Sequence, residues 1–552
     1  MRNGAVLLGL TCVLAIAGCP TQPPAPRFDG GETDTTTGDD AHVGADTGVD
    51  AAGTMDAGLD AATLVDGGTD AASPSDANVD AYRPPITTSD PAPAATITHV
   101  GTSGLLLRGT VLTPTGVLNP GDVLIAGNVI TCVAADCTSA AGASTATIID
   151  THATISPGLI DAHNHLTYDF LGEWVPSPPQ LFQNRYQWAN DPNYEAWIAP
   201  YADHRSAGDH VCPAVKWGEL RSIIHGTTTV QGESPSQSCV DRLARNADNF
   251  DGLGTNTMQT AIGSIRDVTD PMRATLIANF TSLSTTRYVI HMQEGYMANS
   301  VTLEFESYAG RDTRTTSLFH PASGVPYGTG VFIHSMALTP AQMDEALAQH
   351  ARIVWSPSSN MVLYGQTADI AGLLSRGITV GLGPDWTPSG SDEMLSELRF
   401  AQQYGVDHAI SALTAQQLWR MSTIDGADVV GLSPIGTIAV GQRADISVFG
   451  RTSTDPYQAV IDSRAADVRL VLIDGVGYYG DAALQSATAV NTFCEAFDAC
   501  GTPKYLCAAN TPGSMTSTSR YAETVADIHS QLMTILAGYS RTDLLELVDC
   551  SL

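Results

Sequence analysis

Two histidines one residue apart close an apolar run, Gly158-Leu159-Ile160-Asp161-Ala162-His163-Asn164-His165. In a strand, side chains at i and i+2 leave the same face, so His163 and His165 either grip one metal ion together or sit solvated in a loop. Three further apolar runs end in the same kind of residue. Arg287-Tyr288-Val289-Ile290-His291 carries a histidine and, three residues on, Glu294; Val331-Phe332-Ile333 leads to His334; Val380-Gly381-Leu382-Gly383-Pro384 leads to Asp385. A lone strand-end histidine is more often a packing residue. Four strand ends bearing His-x-His, His, His and Asp point instead to a shared metal centre, because imidazole and carboxylate are the donors a divalent transition metal takes. The chemistry of such a centre is hydrolysis by an activated water, with Asp385 placed to take that water's proton. Glu294, spaced off its strand end, either protonates a substrate nitrogen or forms a salt bridge at the rim. Trp386, directly after Asp385, is a candidate for the substrate pocket.

Residues so far apart meet only if their strands run parallel and end at one edge. Strands are predicted at Ile155–His165, Thr227–Val230, Tyr288–Gln293, Val331–His334, Ile353–Trp355 and Thr379–Leu382, and helices at Ala341–His350, Ala368–Arg376, Asp392–Tyr404 and Thr414–Val430. Strand–helix alternation over residues 156–435 implies right-handed crossovers and suits an α/β fold of the (β/α)8 TIM-barrel type, whose catalytic groups sit at the carboxyl ends of the strands. A doubly wound sheet would alternate too, but no glycine-rich phosphate fingerprint supports it. Two β-rich pieces, 96–155 and 436–480, flank this region. Each is too short to bury a core alone, so they are expected to pack together as a small β-sandwich domain. Residues 481–552 carry four cysteines and two helical patterns, Arg520–Leu536 and Arg541–Val548, and read as a disulfide-containing C-terminal extension.

With these motifs in view, the chain resembles the amidohydrolase superfamily, in particular its branch of aminohydrolases and chlorohydrolases acting on S-adenosylhomocysteine, guanine and triazines. The resemblance spans about residues 100–480. It rests on Gly158–His165, His225-Gly226-Thr227-Thr228-Thr229-Val230, His291-x-x-Glu294, His334, Ser356-Pro357-Ser358-Ser359-Asn360, Gly381–Asp385 and Gly436–Asp445. It implies that His163, His165, His291 and Asp385 bind one divalent metal, zinc or iron, and that His334 and Glu294 face a small-molecule substrate. His334 would then stabilise the charge of a tetrahedral adduct. Many members of the superfamily bridge two metals through a carboxylated lysine on the fourth strand. Here only Lys216 and Lys504 occur, neither in the required stretch, so a single metal is expected. The implied reaction is hydrolysis of a carbon–nitrogen bond other than a peptide bond, with deamination of a heterocyclic amine ahead of hydrolysis of a cyclic amide or N-acyl amino acid. The non-enzymatic alternative is a tethered binding lipoprotein on an inactive barrel.

The N-terminus reads as an address. A basic start, an apolar run and Ile16-Ala17-Gly18-Cys19 describe a bacterial lipoprotein signal over residues 1–18, with membrane attachment through lipidated Cys19 and an outer-membrane destination outside the cytoplasm. Residues 19–95 follow as an Asp/Ala/Gly-rich linker whose ten-residue repeat (Asp46, Asp56, Asp66, Asp76) offers no core and repels itself. With 26 basic against 58 acidic residues, the formal charge is −32, which disfavours nucleic-acid binding. Leaving aside Cys12 and Cys19, eight cysteines remain, an even set suited to disulfides outside the cytoplasm. Cys132–Cys137 and Cys212–Cys239 are expected from proximity, and Cys494, Cys500, Cys507 and Cys550 are expected to pair among themselves. The aromatic-rich stretch 168–212, with His204 and His210, either lines a pocket or packs a loop.

Overall fold

The computed structural model describes residues 89–198, 211–232, 243–253, 257–261, 263–297, 299–320, 324–509 and 523–550. The signal segment, Cys19, the repeats of the linker, His204, His210 and Cys239 lie outside the described residues.

Eight short strands run through the middle of the chain: Leu159–Asp161 (β1), Thr227–Val230 (β2), Arg245–Asn246 (β3), Thr257–Ala261 (β4), Thr285–Met292 (β5), Gly330–His334 (β6), Arg352–Trp355 (β7) and Val380–Leu382 (β8). β1 to β3 form one parallel sheet and β4 to β8 another, each strand beside its neighbour in sequence. That order is the one a (β/α)8 barrel requires. β8 lies against β1, where Ala162 N donates to Leu382 O at 3.0 Å and Asp385 N to His163 O at 3.1 Å. Among the described residues no strand ladder joins β3 to β4; there Thr260 Oγ1 donates to Asp248 Oδ1 at 2.9 Å. Apart from β2 and β3, the strands carry apolar residues on both faces. Ile160, Val289, Val331, Ile333 and Val354 form an inner cluster, while Leu159, Phe332, Ile353 and Leu382 pack outward among helices. Burial on both faces is what a parallel sheet covered by helices needs.

The flanking segments join in one set of ten hydrogen-bonded strands. Their order is Glu495–Ala499, Thr502–Leu506, Val476–Asp481, Val468–Ile473, Ile446–Phe449, Thr147–Pro157, Leu105–Thr113, Gly116–Ala126 and Val129–Ala134, with Thr96–His99 paired to Thr147–Pro157. Two of these strands come from beyond residue 480, so the extension continues the sheet. Arg245 on β3 ties this sheet to the barrel, with Nε 2.5 Å from Asp445 Oδ2 and Nη2 2.6 Å from Asp474 Oδ1.

Three expectations are corrected. The predicted strand Ile155–His165 is two strands, one in each sheet, divided at Gly158. Gly158 N donates to Asp445 O and Leu159 N to Gly226 O, both at 2.9 Å, and a Cβ at Gly158 would lie 2.2 Å from Thr228. The predicted helix Thr414–Val430 is two, Ala415–Met421 and Ile424–Val430. At the break the hydroxyls of Ser422 and Thr423 bond back to Trp419 O, and Ser422 O accepts from Ile160 N (2.7 Å) instead of continuing the helix. Arg541–Val548 is not helical: its backbone is used elsewhere, Leu544 bridging Leu171 and Leu545 N donating to Phe170 O at 3.0 Å. Disulfides join Cys132 to Cys137, Cys494 to Cys507 and Cys500 to Cys550. Among the described residues no helix is long and apolar enough to cross a membrane.

Candidate metal centre and substrate pocket

The carboxyl ends of β1, β5, β6 and β8 converge. His163, His165, His291 and Asp385 each offer a donor atom, and the four atoms all lie within 4.8 Å of one another. His163 Nε2 is 3.1 Å and His165 Nε2 3.4 Å from Asp385 Oδ1. The two histidines follow β1 instead of ending it; Asn164 between them forms a bridge with Asp385, which fixes β1 and β8 at the same height. Two of the donors, His163 and Asp385, are held from behind. His163 Nδ1 lies 3.2 Å from Gln231 Oε1, and Gln231 Nε2 donates to Asp248 Oδ1 at 3.0 Å. Ser359 Oγ donates to Asp385 Oδ2 at 2.6 Å. Such partners set a ligand's orientation and proton placement.

Three buried ring nitrogens, His163 Nε2, His291 Nδ1 and His334 Nε2, make no hydrogen bond. Buried polar atoms rarely go unpartnered, so three in one cluster fit a site made for a cation. The electrostatics agree. Burial, then the neighbouring imidazoles of His163, His334 and His165, pushes His291 well below its ordinary value, leaving a neutral ring with a lone pair to donate. Burial also lowers His334, against the pull of Glu294 and Asp385. For Asp385, burial alone would raise the carboxyl; His163, His334 and His165 outweigh it and hold the group well below the usual carboxylate range. Three imidazoles and one ionised carboxylate are therefore presented together.

Beside this cluster His291, Glu294 and His334 form a second group, with His334 Nε2 3.7 Å from Glu294 Oε2. His334 Nδ1 lies 2.9 Å from Asn360 Oδ1, and Asn360 Nδ2 donates to Thr367 Oγ1 at 3.0 Å. Tyr364 Oη donates to Glu294 Oε1 at 2.6 Å. Burial, then the adjacent Glu294, holds that phenol far above its ordinary value, so it remains a donor. Gln293, His334 and Asp385 all have positive φ (52°, 66° and 76°), a strained backbone that turns their side chains off the strand ends. Trp386 packs against His165, Tyr168 and Trp188 at centroid distances of 6.0, 5.6 and 5.7 Å, and its Nε1 donates to Ser389 Oγ. Trp188, Tyr194 and Trp174 thus bring the aromatic segment after β1 over the site, with Trp174 5.5 Å from Tyr194.

The structure therefore brings together His163, His165, His291, Asp385, Glu294, His334 and Trp386. The residues that hold them were not foreseen. Ser359 and Asn360 stood in a quoted motif without a role, and Gln231, Asp248 and Tyr364 carried no local signal. The lysines are occupied elsewhere, Lys216 Nζ 2.7 Å from Glu523 and Lys504 Nζ 2.6 Å from Asp481.

The chain is 27% identical over 366 residues to a 5-methylthioadenosine/S-adenosylhomocysteine deaminase of Desulfitobacterium hafniense, spanning 58% of this chain and 79% of the relative. It is 25% identical over 407 residues to a 5'-deoxyadenosine deaminase of Methanothermobacter thermautotrophicus, spanning 67% and 92%. In fold it is similar to the atrazine chlorohydrolase of Arthrobacter aurescens TC1, solved with zinc, at a TM-score of 0.51 and 18% identity over 68% of this chain and 95% of that one. The amidohydrolase family matches residues 154–476, more than half of the chain. The family match and the deaminase relatives agree with the convergent strand ends: the chain belongs to the amidohydrolase family and is a metal-dependent hydrolase of carbon–nitrogen bonds.

Proposed function

We propose that the chain deaminates a heterocyclic amine of the adenosine type, using one zinc ion held by His163, His165, His291 and Asp385. The observation that carries this reading is the pairing of two groups side by side, a metal-ligand cluster and the Glu294–His334 pair. The names of the deaminase relatives support the substrate class, and zinc in the chlorohydrolase of like fold supports the metal. When bound, the cation supplies Lewis acidity and makes water a nucleophile at neutral pH.

The side chains supply the rest. Asp385, ionised and pinned through Oδ2 by Ser359, takes the proton of the attacking water on Oδ1 and returns it to the departing amine. Glu294 protonates the ring nitrogen next to the carbon under attack, so negative charge does not build up in the ring. His334, held through Nδ1 by Asn360 Oδ1, lies beside Glu294 and lines the substrate side with its Nε2. Trp386, Trp188 and Tyr194 give a flat ring something to stack on and keep bulk water out.

The test is ammonia release from 5-methylthioadenosine, S-adenosylhomocysteine and guanine by the purified protein, with the metal measured in the same sample. Turnover of a purine amine that chelation abolishes and zinc restores is the expected result. Turnover of N-acyl amino acids alone would contradict it.

The chain is also proposed to be lipid-anchored outside the cytoplasm. Ile16-Ala17-Gly18-Cys19 and the disulfides among the described residues support that location. Fatty-acid labelling lost in Cys19→Ala is expected; equal labelling of the variant would refute it.

A further inference from the structure

The helix Pro357–Tyr364 touches three working side chains in turn. Ser359 meets Asp385, Asn360 meets His334 and, one turn later, Tyr364 meets Glu294. Residues one, four and five apart lie on one side of a helix, so a single rigid element sets all three. The first two contacts fall inside the Ser-Pro-Ser-Ser-Asn motif. The third lies outside it, and it is the one that continues into the segment after β1: Trp188 Nε1 donates to Tyr364 Oη at 2.6 Å. Trp188 ends the short helix Arg185–Trp188 in the segment after β1, and that segment is fastened to both of Tyr364's neighbours. Arg185 N donates to Glu294 O at 3.2 Å and Phe182 N to Leu363 O at 2.8 Å.

We propose, resting on the reading of Glu294 as the acid that serves the substrate, that Tyr364 is the positioning residue for Glu294 and that Trp188 links it to the segment covering the site. A protonated carboxyl group has two oxygens and one hydrogen. Tyr364 Oη accepts from Trp188, so its own hydrogen turns to Glu294 Oε1. The carbonyl oxygen of a carboxylic acid is its better acceptor, so the bond to Oε1 favours the acid's hydrogen on Oε2. Oε2 is the oxygen that faces His334 Nε2. Glu294 and Tyr364 are both buried, where such bonds are strong and hard to replace with water. The chain Trp188 to Tyr364 to Glu294 thus aims one hydrogen into the pocket, and it is complete only while the segment carrying Trp188 is seated.

Two measurements on the purified, metal-loaded protein test this. The infrared difference between the native chain and Glu294→Gln isolates the carboxyl bands of Glu294 without any substrate. Tyr364→Phe should shift those bands and Trp188→Phe should shift them less; unchanged bands in Tyr364→Phe would overturn the proposal. In turnover of 5-methylthioadenosine, Tyr364→Phe should lower kcat ten- to hundredfold with KM within about threefold and metal content unchanged. Trp188→Phe should lower kcat two- to fivefold, and the double variant should be no worse than Tyr364→Phe, because both act through one hydroxyl. Full additivity would mean that Trp188 acts by another route and would remove the link. Wild-type kcat in Tyr364→Phe beside a dead Glu294→Gln would sink the role of Tyr364 alone, whereas an active Glu294→Gln would sink the reading of Glu294 itself. Should Tyr364→Phe fail to fold, Trp188→Phe, which keeps an aromatic ring at a half-buried position, decides: native bands and native kcat there would refute the chain.

Discussion

The two halves of the site are built differently. The half that presents donors to a cation is made of strand ends and of residues a step behind them: His163 and Asp385 face each other across the β1–β8 seam, and Gln231 and Asp248 brace His163 from the ends of β2 and β3. The half that faces substrate has Glu294 and His334 on strand ends too, but it is braced from outside the barrel, by the helix Pro357–Tyr364 and the aromatic segment after β1. The first is held by sheet register, which tolerates little movement. The second depends on how a helix and a long connection are seated. The halves share one brace, the helix Pro357–Tyr364, whose Ser359 also holds Asp385; the difference is that only the substrate side depends in addition on the aromatic segment after β1.

Variants should separate the halves, and the largest effect is expected in the first. Asp385→Asn removes the proton acceptor while leaving an oxygen in place; kcat should fall about 10³-fold or more, with metal at least partly retained. Glu294→Gln should cost roughly 10²- to 10³-fold in kcat with full metal content, since it lies in the other half. Metal analysis beside steady-state kinetics reads both, and loss of metal in Glu294→Gln would break the division. Gln231→Leu should weaken metal affinity roughly 10- to 100-fold by freeing His163, measured by competition with a chromophoric chelator. The smallest effect on chemistry is expected from Arg245→Ala at the junction of barrel and sheet. It leaves the buried carboxylate of Asp445 without its cation, while Asp474 keeps Arg443, and should cost about 3 kcal/mol of stability in denaturant unfolding, while the loaded protein at low temperature keeps its kcat.

The first half was legible in the sequence because its ligands are strand ends. A β-branched or apolar run that stops at histidine or aspartate announces both the strand and the donor, and four such runs in order are enough to infer where they meet. Asp248 escaped notice because β3 is two residues long and leaves no pattern to read, and Gln231, though it follows a predicted strand, is not a residue type that announces a metal site. Tyr364 was invisible for another reason: its partners, Glu294 and Trp188, are 70 and 176 residues away, and only the folded chain brings them together. The strand Ile155–His165 was overextended because an apolar run does not record a change of sheet; the marker was Gly158, where Thr228 leaves no room for a side chain. The extension after residue 480 was read through its cysteines, yet its two strands add to the edge of the flanking sheet, Thr502–Leu506 pairing with Val476–Asp481.

The most direct test is the metal content of the purified chain, native and with His163→Ala and His165→Ala combined, measured by elemental analysis on the protein as isolated. One divalent ion per native chain, and none in the double variant at unchanged fold, is the expected result. A native chain that binds no ion, or a double variant that binds as much as the native chain, would contradict the shared centre at the strand ends.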